Sequence, residues 1–149
     1  MKKPRYWDVR RLVKESEREF TAQEVVDALN ASLLSDLQDV PLDGRYWGAS
    51  EAAWRGMLAY TGVDRKRYIK DRFDCDNFAV LFAGRVADKF GINGVGIVID
   101  YSGGHAYCAI LIVDENGNLS IGIIEPQNDQ FVLKTEGMYS AKFGFIFLP

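Results

Sequence analysis

Cys75 stands in Phe73-Asp74-Cys75-Asp76-Asn77-Phe78-Ala79, where a loop gives way to a strongly apolar helix. The chain's single histidine, His105, follows in Gly103-Gly104-His105-Ala106-Tyr107, at the mouth of a predicted strand. The next predicted strand ends in Glu125-Pro126-Gln127-Asn128. A thiol attacks as the thiolate, and a helix N-terminus stabilises that anion through its free N–H groups and its dipole. Asp74 and Asp76 work against the anion, so a nearby imidazolium has to compensate. By itself Cys75 would read as a small buried residue. Placed before one strand-end histidine in this order, it reads as a nucleophile with His105 as its base.

The third member depends on strand register. Asp114-Glu115-Asn116-Gly117-Asn118 joins the two strands as a hairpin. A three-residue loop with Gly117 left-handed pairs Asp114 with Asn118. It sets His105 opposite Gln127, with Glu125 diagonal on the same face. A two-residue Asn116-Gly117 turn sets His105 opposite Asn128 instead and sends Glu125 to the other face, because side chains alternate. The first register is expected, so Glu125 or Gln127 is the residue that holds the imidazole in its tautomer. Cys108 falls on the opposite strand face from His105 and is expected in the core. Trp47, Trp54 and Tyr107 are candidate substrate walls, with core packing as the competing role for each.

These residues need elements to hold them. Pro4 to Phe20 reads as a charged helix. Thr21-Ala22-Gln23-Glu24 is a capping box, and Val25, Val26, Leu29, Leu33, Leu34 and Leu37 follow at helical spacing. Pro41-Leu42-Asp43-Gly44 is a turn. Ser50 and Glu51 open another helix that Gly62 stops. Asp74 caps a helix that runs past Phe78, Phe82 and Val86 to Gly91. Strands are expected over Gly94 to Tyr101, His105 to Val113, Leu119 to Glu125, Phe131 to Lys134 and Phe143 to Leu148. Helices first and an antiparallel sheet second give an α+β class. Residues 1–149 are expected as a single domain, with 1–70 the helical part and 71–149 the core helix plus sheet.

At 48% apolar and 26% charged residues the chain has the balance of a folded globular protein. A net charge of −3 gives no reason to expect nucleic acid, and no apolar run is long enough for a membrane span. Trp7-Asp8-Val9-Arg10-Arg11 stands where the apolar stretch of a secretory leader would run, so no leader is expected. The two cysteines read as thiols, which fits a reducing, cytoplasmic setting. One histidine and no CxxC leave no Cys/His metal cluster. Gly91-Ile92-Asn93-Gly94-Val95-Gly96 precedes a strand and lacks the Lys-Ser/Thr of a phosphate loop.

At Asp74-Cys75-Asp76-Asn77-Phe78-Ala79, His105-Ala106-Tyr107 and Glu125-Pro126-Gln127 the chain resembles the papain-like/transglutaminase-like cysteine peptidase superfamily, and within it most the C-terminal protease domain of fungal mushroom agglutinins. The likeness covers residues 70–130. It implies a papain-like fold with the nucleophile at a helix N-terminus, Cys75 as nucleophile, His105 as base and Glu125 as orienting residue. It also implies calcium dependence, with Asp76 as the acidic position beside the thiol; no other cofactor is expected. The chain departs from the pattern in lacking an oxyanion-hole glutamine shortly before the cysteine, since the nearest upstream one is Gln38, and it lacks the agglutinins' lectin domain. The sequence therefore reads as a cysteine hydrolase, a peptidase or amidase cleaving a peptide or protein amide through an acyl-enzyme. The alternatives are a non-catalytic binding or accessory module on the same fold, phage or bacterial in setting, and an acyl transferase or deamidase using the same thiol.

Overall fold

The computed structural model describes residues 2–149. Helix α1, Tyr6–Ser16, buries Val9 and Val13 on one stripe. It is shorter than the expected Pro4–Phe20. Glu17 turns to an extended conformation, and Arg18–Thr21 forms strand β1, where Phe20 is the buried side chain. Thr21 then caps α2, Ala22–Asn30, through the expected reciprocal box with Glu24. The apolar spacing had suggested a longer helix, through Leu37. It ends at Asn30 because Ser32 competes with the ladder: its hydroxyl donates to the Leu29 carbonyl at 2.7 Å and accepts from Leu34 N at 3.1 Å. Leu34 and Leu37 are nevertheless buried, from a turn.

Strands β2, Gln38–Pro41, and β3, Arg45–Gly48, flank the expected turn. Helix α3, Glu51–Thr61, is capped by Ser50 and stopped by left-handed Gly62. Helix α4, Cys75–Phe90, ends at left-handed Gly91. Strands β4, Val95–Asp100, β5, His105–Val113, β6, Leu119–Glu125, β7, Gln130–Phe131, and β8, Gly144–Leu148, complete the chain.

The main sheet has the order β2-β8-β4-β5-β6-β7, and β1 pairs with β3 in a separate ribbon. The expectation of an antiparallel sheet needs correcting: β2 runs parallel to β8, so the sheet is mixed and draws a strand from the helical part of the chain. Hydropathy carries no trace of this pairing, because it joins segments about a hundred residues apart. The β5–β6 hairpin has the expected register. Val113 faces Leu119, Cys108 faces Ile124, and Gly117 is left-handed at the end of a three-residue loop.

The sheet is buried on both faces. α1, α3 and α4 cover one, with Trp54, Phe78, Phe82 and Val86 in that layer. α2 and the turn after it cover part of the other, where Tyr46, Tyr107, Leu111 and Ile146 meet Val25, Leu29 and Leu34. Both layers fix the strand ends that carry the polar groups.

Candidate functional site

Cys75 is the first residue of α4, preceded by Asp74 in an extended conformation. The loop before it is folded back on itself. Ile69 N and Phe73 N exchange bonds with the Phe73 and Ile69 carbonyls, and Asp71 N donates to Asp74 Oδ2 at 3.0 Å. Asp74 N donates to Asn77 Oδ1 at 3.1 Å. Cys75 is half-buried and Cys108 fully buried, and both are free thiols. Ligand atoms of Asp74, Cys75 and Asp76 lie within 4.8 Å of one another. The two carboxyls share a hydrogen bond that holds Asp74 below the usual carboxylate range and pushes Asp76 above it. Such a pair suits part of the oxygen shell of a hard cation such as calcium, whereas the soft thiol does not. Among the described residues, no hydrogen bond joins the Cys75 sulfur to His105.

His105 opens β5 opposite Asp100. Its Nε2 lies 2.5 Å from Glu125 Oε2. Glu125 ends β6 and is only 3% exposed. Its Oε2 also accepts from Tyr139 OH at 2.8 Å, and its Oε1 accepts from the Gln127 amide at 3.1 Å. Burial pushes this carboxyl up, but the bonds from His105, Tyr139 and Gln127 outweigh it and the net displacement is downward. Gln127 thus takes part through its backbone N–H. Asn128 turns away, bonding Gln130 N through Oδ1. Of the residues left open by the sequence, Glu125 is the imidazole's partner, as the observed register requires.

Tyr139 was missed. It lies on a 3-10 turn, Gly137–Tyr139, with no periodicity to mark it. Its ring meets His105 edge-on at 5.5 Å and Tyr107 at 5.0 Å, while Tyr107 stacks on His105 at 5.9 Å. Two tyrosine rings, themselves in contact, therefore fix the imidazole plane. The segment bearing Tyr139 is anchored by Asp100, 1% exposed, which accepts from Ala141 N, Gly103 N, Ser102 OH and Tyr107 OH. Burial raises Asp100 and these four bonds lower it, with a net downward displacement.

Two expected substrate walls belong to the core instead. Trp54 has no exposed surface and its indole N–H donates to the Leu111 carbonyl at 2.7 Å. Tyr107 is equally buried, its hydroxyl donating to Asp100 at 2.8 Å. Trp47 is half-buried on β3, packed against the helical layer. Beyond Glu125 opens a cleft of about 430 Å³ lined by Asn128, Gln130, Phe131, Glu136 and Tyr139.

A model of the ricin-type beta-trefoil lectin C-terminal domain matches residues 21–148. A solved structure described as the PSL1a-E64 complex is similar at 25% identity and a TM-score of 0.63, over 87% of this chain and 51% of that one. The Polyporus squamosus lectin bound to the human-type influenza-binding epitope Neu5Aca2-6Galb1-4GlcNAc is similar at 25% identity and a TM-score of 0.61, over 87% and 49%. The chain thus spans about half the length of these neighbours. No curated protein matches.

These findings correct the sequence reading. The assignment to the papain-like/transglutaminase-like peptidase superfamily gives way to a lectin C-terminal domain family, and the papain-like fold gives way to a fold shared with about half of the Polyporus lectin. The peptidase or amidase activity, the thiol-protease description and the peptide amide substrate give way with them. The reason lies in how much of the chain each likeness uses. Three short motifs between residues 70 and 130 carried the first. The second extends from β1 to β8 and includes the β3 ribbon strand and the parallel β2 strand, which the peptidase reading did not contain.

Proposed function

The chain belongs to the ricin-type beta-trefoil lectin C-terminal domain family, and from that premise we propose that it is a binding module of a lectin-type protein, with a glycan as its ligand class. The observation that carries this reading is the 430 Å³ cleft at the end of β6. It sets a fully hydrogen-bonded carboxylate, Glu125, and the amides of Asn128 and Gln130 beside the rings of Phe131 and Tyr139. Sugars ask for this mixture: fixed polar groups for hydroxyls, and aromatic faces for the apolar side of the ring. His105 and Gln127 hold Glu125 in place, so the acceptors meet a ligand already ordered. The Polyporus lectin, described with a sialylated trisaccharide, supports the ligand class. Cys75 stands apart from this cleft's lining, at the start of α4. Asp74 and Asp76 are the residues that would hold calcium, as carboxylate ligands beside the start of α4. The two free thiols suit a reducing compartment such as the cytoplasm.

The test is a glycan array probed with the labelled chain, run beside a peptide-amide turnover assay. Binding that survives Cys75→Ala and weakens in Phe131→Ala is expected. Absence of glycan binding together with amide turnover lost in Cys75→Ala would overturn the proposal.

A further inference from the structure

The charge of this chain is unevenly spread. Residues 2–14 hold six Lys and Arg against one acid, Asp8, while the chain as a whole carries −3. Helix α1 gathers these cations on one side. Trp7, Arg10, Arg11 and Lys14 recur at i, i+3, i+4 and i+7, so they share the outer face of the helix, away from buried Val9 and Val13. α1 also lies ahead of residues 21–148, which the family model covers. We propose that this face docks the chain on an anionic phospholipid surface. Lys3, Arg10, Arg11 and Lys14 meet the lipid phosphates and carboxylates, and Trp7 sits among the headgroups.

The cations are free for this role. Among the described residues, Lys2, Lys3, Arg10 and Arg11 enter no ion pair, and Asp8 is held by Arg5 at 2.8 Å. Lys14 shares Glu17 at 3.4 Å, an exposed pair of the kind that holds weakly. Trp7 is a second and independent sign. It is 71% exposed, so the core does not use it. Its ring meets Tyr6 edge-on at 5.0 Å, and the Arg10 guanidinium lies 5.8 Å over it. Amphipathic rings beside Lys and Arg are what the headgroup layer of a bilayer takes up. The ring thus favours a lipid surface over an acidic polypeptide, which needs the cations alone. The face also stands on a rigid base. Tyr6 stacks on Phe90 at 5.6 Å, meets Tyr60 at 5.7 Å and donates its hydroxyl to the Lys89 carbonyl at 3.0 Å. Lys3 lies over the Tyr60 ring at 4.4 Å. The inner side of α1 closes on α3, where Gly56 lets Val9 approach. The helix is therefore ordered before it meets a surface, and docking costs little further ordering.

The test is sedimentation with vesicles of phosphatidylcholine alone and of phosphatidylcholine with about one third phosphatidylserine. The chain is expected to bind the mixed vesicles and not the neutral ones. It should be released at about 0.5 M salt, where the screening length falls to about 4 Å. Each Lys or Arg near an anionic leaflet is worth about fivefold in binding, so Arg10→Gln with Arg11→Gln should weaken it about 25-fold. Both side chains are exposed, so the core is untouched. Lys134→Gln with Lys142→Gln removes the same charge from other exposed positions and should change binding by less than about twofold. Tryptophan emission should shift to the blue on binding, and the shift should vanish in Trp7→Phe, because Trp54 is fully buried and Trp47 half-buried. Equal losses in the two double variants, equal binding to both vesicles, or no blue shift would overturn the inference. So would capture of polyglutamate through Arg10 and Arg11 without vesicle binding, which would give the face to an acidic polypeptide. Neither vesicle carries a sugar, so all of these outcomes leave the glycan-binding proposal to its own test.

Discussion

Asp100→Ala should unfasten the segment that carries Tyr139 to Glu125. The Asp100 carboxylate accepts from Ser102 OH at 2.5 Å, Tyr107 OH at 2.8 Å, and Gly103 N and Ala141 N at 2.9 Å. Ser102 and Gly103 are half-buried and can turn to water. Tyr107 and Ala141 are 0% and 2% exposed and cannot. Each buried donor left unpaired costs about 1–3 kcal/mol, so two give about 2–6 kcal/mol. The charge no longer has to be buried, which returns part of this and leaves about 2–5 kcal/mol. With a urea slope near 2 kcal/mol/M, the unfolding midpoint should fall by about 1–2.5 M. Asp100→Asn keeps the shape and one acceptor, and should lose about half as much.

The pH dependence follows from the sign of the displacement. The folded-state pKa of Asp100 is depressed, so the unfolded chain binds the proton more readily. The stabilisation is complete above the ordinary aspartate value of about 3.9 and is lost as pH falls through the lower, folded-state value. Glu125 is displaced the same way and adds to the loss. The stability gap between the wild-type chain and Asp100→Ala should therefore be constant from neutrality to about pH 5 and narrow below pH 4. Exchange of the Ala141 and Gly103 amides should quicken in the variant. A gap under about 1 kcal/mol, or one that stays constant down to pH 3, would refute the assignment of Asp100 as the anchor.

Cys75 should alkylate with iodoacetamide much faster than Cys108, since the first is half-buried at a helix start and the second is fully buried, with its thiol pushed up by burial and then by Glu125; equal rates by peptide mapping would contradict the placement of both. Tyr139→Phe removes one donor from Glu125 and should cost about 1–2 kcal/mol in urea denaturation at pH 7; a neutral result would mean that water replaces the hydroxyl. Gly94→Ala would drive a methyl into the Trp47 carbonyl oxygen, a backbone atom that cannot swing aside. It should destabilise by about 1–3 kcal/mol, and an unchanged melting temperature would show that the ribbon strand β3 moves freely against the sheet.

Local chemistry was legible where one short segment decided the outcome. Asn116-Gly117 set the hairpin register, because only a left-handed last loop residue closes the three-residue turn, and that register brought Glu125 to His105. Thr21 and Glu24 announced the start of α2. The end of that helix was misjudged because Leu34 and Leu37 fall at helical spacing yet are buried from a turn held by Ser32. β2 beside β8, and Tyr139 beside Glu125, were invisible for a different reason. Both depend on chain closure over distance, which no window of residues encodes.

The functional misreading has the same root as the success at His105. A thiol at a helix start, an imidazole on a carboxylate and the matching chain order are demanded by thiol catalysis. Each is also demanded by something plainer. Cys75 begins α4 because Asp74 and Asn77 cap the helix around it. Glu125, at 3% exposure, must find donors wherever it is buried, and His105, Tyr139 and the Gln127 amide are the donors that the hairpin and the anchored 137–141 segment put within reach. A satisfied buried carboxylate holding an imidazole is thus common to a site that reacts and a site that only binds. Beyond the carboxylate lies an open cleft of amides and rings. It is assembled from the Glu125–Gln130 turn, β7 and the segment that carries Tyr139, so it comes into view only when the chain is folded.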